Sequence, residues 1–291
     1  MQPVLCFGEI IWDLLPQGRF LGGAPLNVAY HLSRLGARPS LVSAVGRDSL
    51  GEAAIAGLNA AGIDGRAVVR HATLSTGTAE VQLDAAGQAK FRLPRPVAWD
   101  EIPVDAVISG PAPAAIVFGT LALRSPFNRT SLQRLLDAFP QAWVVCDLNL
   151  RPPFDDLAPL ASLLARASLL KLNGDEARRL AGAAADASDW PGIAATLQQS
   201  YPGATICITL GDDGAGLWDG STWHHASTPA VTVRDTIGAG DSFTAALVAG
   251  RLRAGAKPDW TRHLRTACTL GAFVASKDGA QPDYGDFKIE W

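Results

Sequence analysis

With 291 residues, of which 48% are apolar and 18% charged, the chain has ordinary globular composition and enough length to bury a large core. A net charge of −3, a pI near 5.9 and the absence of any block of like charges leave no electrostatic footprint for nucleic acid or an anionic membrane. Any phosphate must therefore be bound locally.

The N-terminal stretch from Met1 lacks a basic region and meets Glu9 and Asp13 too soon for a signal peptide. No run approaches the length of about 18 apolar residues that a spanning helix needs, so a soluble cytoplasmic protein is expected. In chain order, short β-prone apolar runs fall at Val4 to Phe7, Ser40 to Val45, Ile116 to Phe118, Trp143 to Asp147, Leu169 to Leu172 and Thr205 to Leu210. Helical patterns lie between them. In the one from Pro25 to Leu35, Val28, Leu32 and Leu35 follow an i, i+4, i+7 spacing, and Pro25 suits a first turn. Such alternation predicts an α/β fold with a mostly parallel sheet and helices on both faces.

Two stretches break the rhythm. Thr78 to Asp84 and Ala89 to Leu93 flank Ala85-Ala86-Gly87-Gln88, the pattern of a β-hairpin. With Ile11 to Phe20 it forms either a small separate sheet or an edge of the main one. No repeat or linker divides the chain, so residues 1–291 read as one main domain with an insertion in two pieces, about 11–21 and 67–103. Cys6, Cys146, Cys207 and Cys268 show no CxxC pairing, and three of the four sit in strand-like runs, which points to packing. The five histidines form no metal-binding spacing, and His224-His225 belongs to a surface hairpin.

The sharpest feature is Asp235-Thr236-Ile237-Gly238-Ala239-Gly240-Asp241, followed by an apolar run. A small-residue turn at a helix start leaves the backbone N–H groups of Gly238, Ala239 and Gly240 free to face an anion, with the Asp241 carboxylate beside them. This suits phosphoryl transfer to a neutral hydroxyl, with Asp241 accepting the proton. Standing alone, the same residues also describe an ordinary capped turn. In an open α/β sheet the ligand lies beyond the carboxyl ends of the strands. Those positions here are polar: Gly8 to Asp13, Asp147 to Arg151, Asn173 to Glu176 and Gly211 to Gly214.

Together with Gly22-Gly23-Ala24-Pro25-Leu26-Asn27 near the other end, the Asp-Thr-x-Gly-Ala-Gly-Asp segment resembles the two signatures of the ribokinase-like (PfkB) carbohydrate kinases. The resemblance runs from Gly8 to about Pro282. It implies a β-sheet lid over a sugar, and ATP and Mg²⁺ as partners in the reaction. It assigns Asp13, Gly22, Gly23 and Asn27 to the sugar, although Asp13 also reads as a turn residue before Pro16. Asn173-x-x-Glu176 matches the element that orders Mg²⁺ and its waters, while the same pair reads as a capping box. Thr209-Leu210-Gly211-Asp212-Asp213-Gly214 is similar to the family's nucleotide loop, or is a plain hairpin turn. Arg151 pairs with a phosphate oxygen, with the substrate, or with a surface carboxylate. The counterparts of Asp235 and Ile237 offer oxygens to K⁺.

Departures matter as well. Gly174 stands where many relatives carry an acidic residue. The segments Gly8 to Asp13, Pro96 to Asp100 and Asn149 to Pro153 look most like bacterial fructokinases, which implies D-fructose phosphorylated at its 6-hydroxyl. Ribose, 2-keto-3-deoxygluconate and nucleosides are the alternatives within the family. A catalytically silent sugar-binding protein is the alternative outside it. A P-loop and a Rossmann glycine fingerprint are both absent from the sequence. A lid sheet can serve as a homodimer surface, though nothing in the hairpin demands it.

Overall fold

The computed structural model describes residues 2–15, 18–83, 89–182, 188–255 and 258–291. In chain order the strands are β1 (Pro3–Phe7), β2 (Ile11–Leu15), β3 (Gly18–Gly22), β4 (Arg38–Gly46), β5 (Val68–His71), β6 (Gly77–Leu83), β7 (Ala89–Arg92), β8 (Ala115–Gly119), β9 (Trp143–Asp147), β10 (Leu169–Asn173), β11 (Thr205–Thr209), β12 (Ala215–Trp218) and β13 (Trp223–Ala226). The helices are α1 (Ala24–Arg34), α2 (Ser49–Ala60), α3 (Asp105–Ile108), α4 (Pro126–Ala138), α5 (Ala161–Leu164), α6 (Gly174–Ala181), α7 (Trp190–Ser200), α8 (Ala239–Ala254) and α9 (Trp260–Ala275).

Nine strands form the main sheet in the order β13-β12-β11-β10-β9-β8-β1-β4-β5. Every neighbouring pair from β11 to β5 is parallel, and at the other end β12 pairs antiparallel with β11 and β13 antiparallel with β12. Each face is apolar because strand side chains alternate and both sides are covered by helices. Along β1, Val4 and Cys6 join the core shared with α1, α8 and α9, whereas Leu5 and Phe7 join the core shared with α4 and α7. From β1 the chain first builds outward through β4 and β5, then returns to add β8 on the other side. Ligand crevices open at such a reversal, beyond the carboxyl ends of the strands.

The hairpin expected around residues 78–93 forms as β6 and β7, and its turn lies outside the described residues. It belongs to a separate four-stranded sheet in the order β3-β2-β6-β7, not to an edge of the main one. The stretch read as a single unit from Ile11 to Phe20 becomes two antiparallel strands, with Asp13 opposite Phe20. Trp99 ties this sheet to the main body. A side chain at Gly77 would collide with the Trp99 indole nitrogen, and Arg124 stacks 3.9 Å above the Trp99 ring while bonding Asp100 at 2.8 and 3.0 Å. All four cysteines are buried and unpaired. His224 is half-buried and meets Asp219 at 2.8 Å, which places it further inside than a surface hairpin suggests; His225 is exposed. Among the described residues no helix is long and apolar enough to cross a membrane.

Candidate active site

Strand register assembles the site. Asp147, the last residue of β9, lies opposite Lys171 of β10, and Asn173 at the end of β10 lies opposite Thr209 at the end of β11. Helix α8 then begins over these strand ends. Its N-cap is Gly238, in the left-handed region at φ 79°, where an added Cβ would sit 2.6 Å from Ala280. A glycine is therefore required twice over, for backbone conformation and for close approach. Beyond it, Ala239 N–H closes a 3.3 Å turn to the Thr236 carbonyl, while the Gly240 and Asp241 N–H groups donate to no acceptor among the described residues. Of the three N–H groups named from the sequence, those of Gly238 and Gly240 donate to no acceptor among the described residues, Ala239 is partly used by the turn, and Asp241 adds its own N–H to the set.

The Asp241 side chain is half-buried at the base of this turn and accepts a 2.8 Å hydrogen bond from Asn27 Nδ2 on α1. Burial, then the neighbouring Asp147 carboxylate and more weakly Glu9, raise its pKa from 3.8 to about 7, against the lowering effects of the Asn27 bond and Lys171. A carboxyl poised near neutrality is what a general base for a hydroxyl requires. Asn27 in turn accepts from Gln281 Nε2 at 2.8 Å.

Beneath the turn, Lys171 Nζ meets Asp147 Oδ1 at 2.7 Å, and Thr244 Oγ1 on α8 donates to Asp147 Oδ2 at 2.6 Å. Burial disfavours the ammonium, but Asp147 outweighs it, so the Lys171 pKa is raised. Lys171 and Thr244 escaped the sequence reading. The signal was a lone lysine in Leu169-Leu170-Lys171-Leu172, a charge that an interior strand keeps only when paired.

On the side toward the small sheet stand Asp13, Gly22, Gly23 and Glu9. Asp13 lies within strand β2, not in a turn, and its pKa is raised by burial; a Cβ at Gly22 would lie 3.4 Å from its Oδ2. Gly23 caps α1 at φ 115°, with space for a Cβ closed off by the Glu9 carbonyl 2.4 Å away. Glu9 is buried and accepts from the Ala24 N–H through Oε1 at 3.2 Å, while its Oε2 has no hydrogen-bond partner among the described residues. Arg151 is exposed and close enough to lower the Glu9 pKa, which burial raises on balance.

Asn173, Gly174, Thr209 and Gly211 line one hollow of about 320 Å³, together with Asp175, Arg178, Trp190, Leu210 and Asp213. Gly214 is not among its walls. It lies at φ 99° in the turn that joins β11 to β12, with the Ala226 carbonyl at the end of β13 2.0 Å from where a Cβ would be. Gly174 has a Cβ position 3.0 Å from the Trp190 ring, so a side chain there would crowd the hollow. A larger hollow of about 510 Å³ lies against α9, lined by Arg262, Arg265 and Lys288, and shares none of these residues.

The Asn173–Glu176 pair does form a capping box, with Asn173 Oδ1 and Glu176 Oε2 each accepting the other's backbone N–H at 2.9 Å. Glu176 Oε1 also accepts Leu150 N–H at 2.8 Å. Each carboxylate oxygen keeps a further lone pair, which suits a hydrated Mg²⁺ reached through water. The Asp235 carboxylate is engaged by the N–H groups of Ile237 at 2.9 Å and Gly279 at 3.1 Å. The backbone carbonyls of Asp235 and Ile237 accept no hydrogen bond among the described residues, which leaves them free for K⁺.

Comparison with known proteins gives one answer. Residues 17–285 match the sequence pattern of the pfkB family carbohydrate kinases. A fructokinase of Klebsiella pneumoniae is 31% identical, covering 94% of this chain and 93% of its own length. A fructokinase of Escherichia coli is 28% identical over 95% and 94%. Among solved structures, a fructokinase of Xylella fastidiosa with bound ATP superposes with a TM-score of 0.83 at 26% identity, covering 96% of this chain and 94% of that one. The two signatures, the parallel sheet with its separate small sheet, and this match over nearly the whole length place the chain in the pfkB family of carbohydrate kinases, phosphotransferases that act on an alcohol group.

Proposed function

We propose that this sugar kinase transfers the γ-phosphoryl group of ATP to the 6-hydroxyl of D-fructose, with Asp241 as general base. The observation that carries the proposal is a carboxyl with a pKa of about 7 standing beside unpaired backbone N–H groups at the start of α8. As the sugar oxygen bonds to phosphorus, its proton passes to Asp241 and the bond to the departing ADP oxygen breaks. The N–H groups of Gly238, Gly240 and Asp241, with that of Ala239 partly used by the turn, and the N-terminus of α8 behind them face the charge of the transferring group. Little covalent help is needed, because the transition state is loose and positioning supplies most of the acceleration.

Asp13, Asn27 and the Gly22-Gly23 backbone hold the sugar on the side of the small sheet, which acts as a lid that keeps water from the phosphoryl group. Arg151 stands at the same mouth. The nucleotide lies along the hollow between Asn173 and Gly211. Glu176 and Asn173 fit a Mg²⁺ held through its waters, an ion that when bound neutralises phosphate charge. The Asp235 and Ile237 carbonyls suit K⁺. The ATP-bound neighbour and the fructokinase relatives support both the nucleotide and the hexose.

The test is Mg²⁺-dependent ADP release across D-fructose, D-ribose, 2-keto-3-deoxygluconate and adenosine. Turnover confined to fructose is expected. Turnover confined to another acceptor discards the hexose and retains the chemistry, and binding of sugar with no ADP release by any acceptor would favour a silent binding protein.

A further inference from the structure

Gln281 follows α9 in the C-terminal segment, far in sequence from every signature, yet it reaches the hydrogen bonds of the general base. Its Nε2 donates to the backbone carbonyl of Leu21 on β3 at 3.3 Å and to Asn27 Oδ1 at 2.8 Å, and Asn27 Nδ2 donates to Asp241 Oδ2 at 2.8 Å. Amide groups can be turned end for end, so the direction of such a chain needs an anchor. Here one exists. A backbone carbonyl can only accept, so the Gln281 atom facing Leu21 must be the nitrogen. That nitrogen spends its other hydrogen on Asn27, whose facing atom must then be the oxygen. Asn27 is thereby obliged to present its NH₂ to Asp241.

We infer that Gln281 is a positioning residue for catalysis, which through Asn27 fixes a donor on Asp241 Oδ2 and so keeps the carboxylate ionised and its other oxygen free for the sugar hydroxyl. The inference rests on the reading of Asp241 as general base. The segment that carries Gln281 is itself held in place: Tyr30 donates to the Pro282 carbonyl at 2.8 Å, and His31 bonds the Ala280 carbonyl and the Tyr284 hydroxyl, each at 2.9 Å. Without the clamp, Asn27 rotates, and an amide oxygen against Asp241 favours the protonated acid. The other charged groups around Asp241 are Glu9 after β1, Asp147 at the end of β9 and Lys171 on β10, whereas the hydrogen bonds of Gln281 go to Leu21 and Asn27.

Two variants and a control test this in the full-length protein. Gln281→Met removes both hydrogen bonds at similar volume and adds no charge. Gln281→Glu installs a group that can only accept, and so turns Asn27 round. The midpoint of Asp241 is read by ¹³C-carboxyl NMR titration, assigned by its loss in Asp241→Asn, and the acid limb of kcat/KM for ADP release is followed in parallel. Both midpoints should rise, by about half a unit in Gln281→Met and by one unit or more in Gln281→Glu, which lowers the rate about three-fold and ten-fold or more on the acid limb. A midpoint unchanged or lowered in Gln281→Met overturns the inference, whether the plateau falls or the midpoint moves in Gln281→Glu through charge alone. If Gln281→Glu does not fold, Gln281→Met decides. If the NMR midpoints rise while Asp241→Asn retains turnover, the orientation stands and the general-base reading falls.

Discussion

Replacing Lys171 by Met cuts a buried cation out from under the catalytic turn. The pair it forms with Asp147 is 2.7 Å long, with only 8% and 12% of the two side chains exposed, so water cannot repay the lost charge. Breaking a buried pair on one side costs about 3–5 kcal/mol, because the remaining carboxylate is left desolvated. Thr244 still donates to Asp147 Oδ2 at 2.6 Å, which favours the lower end of that range. With a urea dependence of about 3 kcal/mol per molar or somewhat more for a chain of this size, the unfolding midpoint should fall by about 1 M. In the wild type the Lys171 pKa is raised, so the contribution of the pair is complete at neutral pH and fades only as pH rises through that raised value. Kinetics should change in a linked way. Lys171 lowers the Asp241 pKa and Asp147 raises it, so the variant should need a higher pH to ionise its base, and the acid limb of kcat/KM should move upward from about 7. Urea denaturation and a pH–rate profile measure both, and the double variant Lys171→Met/Asp147→Asn should recover part of the stability. An unchanged midpoint together with an unmoved or lowered limb would refute the reasoning.

Two further outcomes follow from single residues. Gly238→Ala forces a side chain into the left-handed region and against Ala280, so it should cost about 1–3 kcal/mol and lower kcat more than it raises the KM for sugar; a kinetically neutral variant would contradict the placement of the anion-facing turn. His31 is buried, and burial lowers its pKa to about 4, against the effect of its bond to Ala280. Since that carbonyl only accepts, Nε2 carries the proton and Nδ1 accepts from Tyr284. A depressed pKa means stability that is full above 6.5 and lost as pH falls toward 4, and proton NMR of the imidazole should find no titration between pH 8 and 5.5.

Much of the fold was legible because strand runs and helix periods are local. Trp143 to Asp147 is found at its expected bounds, and β1, β4, β8, β10 and β11 lie within two residues of theirs. The small sheet could not be assigned from pattern alone, since a hairpin reads the same whether it extends one sheet or starts another. Residues at the two signatures were visible through their small side chains and spacing. Lys171 was visible only as a charge in an apolar strand, and Gln281 not at all, because its partners Leu21 and Asn27 lie some 250 residues away in sequence. The crowding of Gly214 by the Ala226 backbone was hidden for the same reason, as that residue ends β13 and is not a neighbour in the turn.

The central claim is that Asp241 takes the hydroxyl proton. It is tested most directly by Mg²⁺-dependent ADP release from wild type and Asp241→Asn with saturating D-fructose, with circular dichroism and thermal unfolding on the same samples. An amide there still accepts from Asn27, so the fold should persist. Because the folded carboxyl has a raised pKa, it opposes folding as pH climbs from 3.8 through about 7, at ~1.4 kcal/mol per unit and an upper bound of ~4 kcal/mol before allowance for the water that reaches it. Asp241→Asn should therefore lose nearly all turnover while unfolding at a higher temperature than wild type at pH 8. A variant that releases ADP at the wild-type rate would contradict the account.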